Sequence, residues 1–248
     1  MRTIAVIPAR YSSKRLPGKP LANIAGKTMV QRVYERAAEA RRVDQVLVAT
    51  DDERIRDVVA GFGGQVLMTS RDHRSGSDRV AEAVRDTSYE LVVNLQGDEP
   101  LLDPRAIDDT IELAAEHEGV IATLRREISS RDRLLERDVV KVVVDHRGFA
   151  LYFSRSPIPV PPPVTEPLPA KVYYEHVGLY VYPKERLLEL AALSPTPLEE
   201  VERLEQLRAL ENGMPIRVGQ TEYESMAVDT EADLEQVRKR LESTTVKM

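Results

Sequence analysis

Residues 4–7, Ile-Ala-Val-Ile, are apolar at every position, and residues 91–95, Leu-Val-Val-Asn-Leu, are nearly so. Such runs are too short for a buried helix. They also leave no alternate position for solvent, so each reads as a strand covered on both faces of an α/β sheet. The chain between them alternates as βα units require. Met29, Val30, Val33, Tyr34, Ala37 and Ala38 recur at helical spacing behind Thr28, a candidate N-cap. Residues 43–50 read as a strand, Asp51 and Asp52 open a helix ending near the glycines at 61–64, and residues 65–69 give a short strand. The polar stretch 71–79 leads into a helix over 80–86; it could recognise a base through its serines and backbone groups, or equally cap that helix at Ser77 or Asp78. Pro104 suits the first turn of a helix running to about His117.

After about residue 120 the pattern is mixed. Residues 139–145 and 149–154 are β-rich and joined by Asp145-His-Arg-Gly148, a hairpin signal. Seven prolines within residues 157–169 exclude a central strand, so this stretch reads as an extended connector. Residues 172–182 and 216–220 read as strands, and 198–212 as one amphipathic helix closed by Asn212-Gly213. Val228-Asp-Thr230 then caps a last helix over 231–241. The length fits one large α/β domain, residues 1–248, whose two halves share a core.

Pro8 has no N–H to donate and is expected to end the first strand. The ten residues 10–19 then carry four cations, Arg10, Lys14, Arg15 and Lys19, with Ser12, Ser13 and Gly18 between them. Backbone N–H groups in such a loop can turn inward as an anion nest. Loops at the carboxyl ends of strands are also where open α/β sheets bind ligands. The chain carries a formal charge of −6, so this cluster runs against composition and points to a polyanion such as a nucleoside triphosphate. A solvated basic loop is the plainer alternative. Neither G-x-G-x-x-G nor G-x-x-x-x-G-K-[ST] occurs, which sets aside the dinucleotide fingerprint and the P-loop.

Composition narrows the classes further. The absence of cysteine excludes disulfides, thiolate catalysis and cysteine-ligated zinc. No apolar run approaches a membrane span, and no signal-peptide pattern precedes the first strand, so a cytoplasmic protein is expected. Net acidity argues against non-specific nucleic-acid binding.

Two carboxylates stand out. Asp98 follows the second buried run in Gln96-Gly-Asp98, and Asp229 precedes the last helix. Carboxylates suit Mg²⁺, which keeps waters and substrate phosphates as its other ligands. Asp98 alone is equally a turn former, and Asp229 alone reads first as an N-cap, with Thr230 its rival. Gln96 reads as an ordinary loop residue or a hydroxyl partner, and Arg155, behind a strand, as a surface charge. His176 lies in an apolar strand, where a lone histidine is usually structural, and Glu205 and Gln206 lie on a helix face.

The order Ile-Pro-Ala-Arg-Tyr-x-Ser-x-Arg-Leu-Pro-Gly-Lys-Pro-Leu over residues 7–21 resembles the opening of the sugar-acid cytidylyltransferases, in particular the 3-deoxy-manno-octulosonate (KDO) cytidylyltransferase family. Further matching blocks lie at 94–100, 140–159, 176–180, 204–210 and 228–234, so the resemblance spans essentially the whole chain. It implies a Rossmann-like, mostly parallel sheet with helices on both faces, of the nucleotide-diphospho-sugar transferase type. It also implies a small β-hairpin part, residues 139–182, that binds sugar and forms a homodimer. The implied reaction moves CMP from CTP to KDO with release of pyrophosphate, supplying lipopolysaccharide assembly. Lys19, Asp98 and Asp229 would be catalytic, the two aspartates holding Mg²⁺. Arg10, Arg15, Lys19, Ser75, Gly76 and Arg79 would bind nucleotide, and Gln96, Arg155, His176, Glu205 and Gln206 the sugar acid.

Three positions depart from the family pattern. Glu175 replaces a basic residue before the histidine, and Val181 and Ala227 stand where glycine is common. A cytidylyltransferase for another acidic or amino-modified sugar is therefore the alternative enzyme. A non-catalytic nucleotide sensor on the same fold is the alternative of another class, disfavoured by the presence of both aspartates.

Overall fold

The computed structural model describes residues 1–12, 15–224 and 226–245, the side chains through residue 241. Lys14 and Ser13 of the cationic loop lie outside the described residues. The chain divides into two compact units, residues 1–109 with 223–248, and residues 110–222.

The first unit is a run of βα elements. In chain order they are β1 (Thr3–Ala9), β2 (Asn23–Ile24), β3 (Lys27–Thr28), α1 (Met29–Ala38), β4 (Gln45–Thr50), α2 (Glu53–Gly61), β5 (Val66–Met68), α3 (Gly76–Val84) and β6 (Leu91–Asn94). α4 (Pro104–Ala115) then carries the chain into the second unit. Strands β6, β1, β4 and β5 lie side by side in that order, all parallel. β1 is central, and Ile4, Ala5, Val6 and Ile7 have essentially no exposure, as an apolar run covered on both faces requires. Each buried Ile is worth about 1.5–3 kcal/mol of burial.

β1 runs past Ile7 to Ala9, contrary to the expected stop at Pro8. Its pairing with β6 ends at Val6, so Pro8 has a strand on one side only, where a missing N–H is tolerated. α3 begins four residues earlier than its apolar spacing suggests. Ser75 is its N-cap, not Ser77 or Asp78, and Asp78 completes a reciprocal capping box. Thr28 and Asp52 cap α1 and α2 through their side chains.

The second unit holds β7 (Ile121–Glu127), α5 (Arg131–Leu135), β8 (Lys141–Val144), β9 (Ala150–Ser154), β10 (Tyr174–Pro183), α6 (Lys184–Ala192), α7 (Pro197–Glu202), α8 (Gln206–Glu211) and β11 (Ile216–Gln220). β11 is parallel to β7, and β7, β10, β8 and β9 follow as antiparallel neighbours. The β8–β9 hairpin turns where expected. Gly148 takes φ 81°, and the Asp145 carboxylate accepts from the N–H groups of Arg147 and Phe149. The proline connector is fastened by Arg131, which donates to the carbonyls of Pro162, Pro163 and Glu166. The single helix expected over 198–212 is two, broken at Arg203, whose φ is 56°. The break lets Arg208 of α8 fold back and grip Glu199 of α7 with two nitrogens, at 2.7 and 2.5 Å.

α9 (Glu231–Thr245) returns to the first unit, where Val228, Leu234 and Val237 pack on Leu16, Ile24 and Met29. Among the described residues no helix is long and apolar enough to cross a membrane.

Candidate functional site

The carboxyl ends of β1 and β6 place the first unit's charged groups together. The loop leaving β1 closes on itself at Gly18, whose N–H donates to the Tyr11 carbonyl at 3.1 Å. Gly18 is left-handed, with φ 68°, and an added Cβ would lie 3.2 Å from the Tyr11 hydroxyl. The Arg54 guanidinium lies 3.3 Å from the Tyr11 ring centre and braces the loop from the other side. This geometry delivers Lys19 at the start of a 3₁₀ turn, Lys19–Leu21.

Lys19 Nζ donates to Asp98 Oδ2 at 2.7 Å and to Asp229 Oδ1 at 2.9 Å. Arg15 Nη2 stands 3.0 Å from Asp229 Oδ2. Asp98 follows β6, and Gly97 before it passes so close to β1 that a Cβ there would meet the Pro8 carbonyl at 3.2 Å. The Asp98 carbonyl accepts from Val228 N–H at 2.8 Å, tying the segment that carries Asp229 to the one that carries Asp98. Asp229 is not the cap of α9. Thr230 caps it, accepting from Asp233 N–H at 3.2 Å, while Asp233 accepts from the N–H groups of Asp229 and Thr230. That exchange leaves the Asp229 carboxylate to the cations.

A cleft of about 290 Å³ opens beside this cluster, lined by Arg10, Lys19, Ser75, Gly76, Gln96 and Asp98 among others. Arg10 donates to the carbonyls of His73 and Ser75 at 2.5 and 3.0 Å, fixing the loop that forms one wall. Arg79 takes a different place. It is fully buried, its guanidinium 3.1 Å from Asp51 and 2.5 Å from Thr69 Oγ1, and it does not line the cleft. Arg74, in the loop just before the N-cap Ser75, does line it. The sequence reading missed Arg74; the capping box at Ser75 is the signal that separates loop from helix there.

The second unit holds the other candidates. His176 Nε2 lies 3.0 Å from Thr123 Oγ1, and its ring packs edge-on against Phe153 and tilted against Tyr180. Thr123 directs its one proton to the carbonyls of Leu179 and Val177, so its hydroxyl accepts from Nε2–H. The His176 Nδ1 is thereby left as an acceptor. Some of the residue's surface remains exposed, but enclosure of the ring lowers its pKa to about 3, and the imidazole is neutral at physiological pH. Tyr180, also missed, is buried, and its hydroxyl has no hydrogen-bond partner among the described residues. Burial pushes its pKa well up, and the nearby Tyr182 and Glu205 add to the effect. His176, Tyr180 and Glu205 thus share one neighbourhood. Gln206 opens α8 beside Glu205, and Arg155 follows β9, held by carbonyls of Glu202 and Arg137. Glu175 does not stand as a bare negative charge. It is buried, with Arg126 at 2.6 Å and Arg133 at 2.7 Å on its two oxygens.

Parallel strands that end in a cationic loop facing two aspartates are the framework of an α/β nucleotidyltransferase. Residues 4–216 match a family model described as cytidylyltransferase. A 3-deoxy-manno-octulosonate cytidylyltransferase of Syntrophotalea carbinolica is 52% identical over 247 residues, 97% of this chain and 99% of that one. That of Geobacter sulfurreducens is 52% identical over 97% of this chain and 100% of its own. A solved CMP:2-keto-3-deoxy-manno-octonic acid synthetase complexed with CTP superposes with a TM-score of 0.91 at 42% identity, covering 98% of this chain and 100% of that one. The chain belongs to the 3-deoxy-manno-octulosonate cytidylyltransferase family.

Proposed function

We propose that this chain is an enzyme that transfers the cytidylyl group from CTP to 3-deoxy-manno-octulosonate, giving CMP-KDO and pyrophosphate for lipopolysaccharide assembly. The observation that carries the reading is Lys19 Nζ held between Asp98 and Asp229 at the mouth of β1 and β6. CTP brings a polyphosphate to a loop whose Arg10, Arg15 and Lys19 are the natural counter-charges. As the sugar hydroxyl attacks the α-phosphorus in line, negative charge grows on the departing pyrophosphate, and these cations stabilise it. No covalent intermediate is required, since positioning and charge stabilisation suffice. Ser75, Gly76 and Gln96 line the cleft for base and sugar groups. Arg155, His176, Tyr180, Glu205 and Gln206 supply the sugar-acid contacts, with Arg155 meeting the carboxylate.

Asp98 and Asp229 fit a divalent cation, being two hard oxygen donors facing one point that now holds a positive charge. Mg²⁺ bound there would polarise the α-phosphoryl group and lower the pKa of the attacking hydroxyl. The two units act as one nucleotidyltransferase domain in a cytoplasmic homodimer, with residues 139–182 in the two-fold interface. Leu151, Val160 and Val164 of that stretch are strongly exposed, which supports the assignment.

The test is pyrophosphate release from CTP with a panel of sugar acids. Release that requires KDO, with CMP-KDO as the product, is expected. Equal release with a different or amino-modified sugar acid, or none with any, would overturn the reading.

A further inference from the structure

Lys141 is among the largest fully buried side chains, and it sits in a strand whose sequence reads as apolar. Its ammonium meets no carboxylate within ion-pair distance among the described residues. Its three protons go instead to three backbone carbonyls, those of Glu136 at 2.9 Å, Val139 at 2.6 Å and Arg155 at 2.7 Å. Burying a cation this way is costly, and the desolvation lowers its pKa. A methionine would fill the same space without that cost, so the charge is spent on fixing those carbonyls.

One of the three belongs to Arg155, and the other side of Arg155 is held by an anion. Glu202 at the end of α7 accepts from the Arg155 N–H on Oε2 at 3.0 Å and from Ser154 Oγ on Oε1 at 2.6 Å. The Glu202 carbonyl also accepts from Arg155 Nε at 3.0 Å, and the Arg137 carbonyl from Nη1 at 3.3 Å. The backbone N–H of Arg155 is thus fixed by a carboxylate and its C=O by an ammonium. Its guanidinium is aimed by two neutral carbonyls and, among the described residues, is paired with no carboxylate. Such an arginine keeps its whole charge for a ligand and spends no entropy on finding its rotamer.

We infer that Lys141 and Glu202 are positioning residues for sugar-acid recognition, acting through Arg155. The inference rests on the proposed role of Arg155 at the substrate carboxylate. Neither side chain touches the substrate. Each sets the segment Ser154-Arg155-Ser156, so that loss of either misplaces one guanidinium.

The experiment is a set of steady-state measurements of KM for KDO, KM for CTP and kcat, on Glu202→Ala, Glu202→Gln, Lys141→Met, Arg155→Gln and the double variant Glu202→Ala/Arg155→Gln. Thermal unfolding of each serves as the folding control. Glu202→Ala should raise KM for KDO about tenfold, the scale of a slightly misplaced contact, and leave KM for CTP within about twofold. Glu202→Gln should restore most of this loss, because its amide oxygen still accepts from the Arg155 N–H. In the Arg155→Gln background Glu202→Ala should add almost nothing. Lys141→Met should follow Glu202→Ala if it folds; if it does not, the Glu202 and Arg155 series decides. Equal rises in KM for both substrates, or full additivity with Arg155→Gln, would overturn the positioning role while leaving the function intact. An unchanged KM for KDO in Arg155→Gln would remove Arg155 from the sugar site, and the inference with it.

Discussion

Replacing Lys19 by methionine should make the free protein bind a divalent cation more tightly. Lys19 Nζ is the present counter-charge of both aspartates, and a metal ion taking Asp98 and Asp229 must first displace it. The side chains are only partly exposed, 13% for Lys19, 26% for Asp98 and 38% for Asp229. Each ion pair is therefore worth about 1 kcal/mol, the upper end for pairs near a surface. Breaking two costs about 2 kcal/mol, or roughly 30-fold in metal affinity. Bound CTP would change the balance, its phosphates offering Lys19 another partner and the metal further oxygen ligands.

The assay is Mn²⁺ titration followed by electron paramagnetic resonance, with and without CTP, on the wild type and Lys19→Met. Without nucleotide, the variant should bind Mn²⁺ about 30-fold more tightly than the wild type. With CTP the difference should shrink. Turnover should meanwhile fall by about 10²-fold or more if, as proposed, the same charge stabilises the leaving pyrophosphate. Arg15 still faces Asp229 in the variant, so the carboxylates do not repel unopposed. Identical Mn²⁺ affinity in the two proteins without CTP would refute the argument that Lys19 and the metal compete for one pair of carboxylates.

Asp98→Asn and Asp229→Asn should each remove most of the turnover, and the double variant should be little worse than either, because groups acting as a unit are non-additive. Thermal stability of Asp229→Asn should fall by no more than about 2 kcal/mol, through the lost ion pairs to Lys19 and Arg15 and not through a lost cap, since Thr230 caps α9; normal turnover in that variant would assign any metal to Asp98 alone. Gly18→Ala should raise KM for CTP and destabilise the chain by about 1–2 kcal/mol, the cost of a left-handed non-glycine residue; an unchanged melting temperature and KM would show that the loop does not need this turn. His176 is neutral when folded, so between about pH 6.5 and about 3 the unfolded chain binds one more proton and stability falls as pH falls, by at most about 1.4 kcal/mol per pH unit. His176→Asn should flatten that acid limb of the melting-temperature profile, and an unaltered limb would count against the buried neutral imidazole.

The parallel half of the fold was legible because its signals are local. Ile4 to Ile7 and Leu91 to Val93 announce buried strands, and Thr28 and Asp52 announce helix starts, within a few residues. The failures have physical causes. Nothing near Arg203 marks the break between α7 and α8, since arginine has no preference for φ 56° and the break serves the distant Arg208–Glu199 clamp. Asp229 looked like a cap because an aspartate before a helix usually is one, and only Thr230 with Asp233 relieves it of that duty. Lys19 contacts residues 79 and 210 positions away, a pairing no local pattern encodes and one that entered only through resemblance to a family. Lys141 could not be picked out at all, because three carbonyl partners leave no trace in a side-chain pattern.

The candidate cations divide by what holds them, and the division bears on how substrate is taken up. Arg10 and Arg155 rest on neutral backbone carbonyls, which aim a guanidinium without cancelling its charge. They are ready for an anion before it arrives, so a phosphate or carboxylate meeting them displaces only water. Lys19 and Arg15 rest on carboxylates, and their charge is cancelled until something separates the pairs. A lone polyanion can draw the cations away but leaves two bare aspartates facing each other. A lone metal ion can take the aspartates but leaves two cations unpaired beside it. Only the two together exchange every partner for a new one of the right sign. On this electrostatic ground the free protein should be a poor ligand for either alone, and nucleotide and metal should each raise the other's affinity by the same factor, as linkage requires.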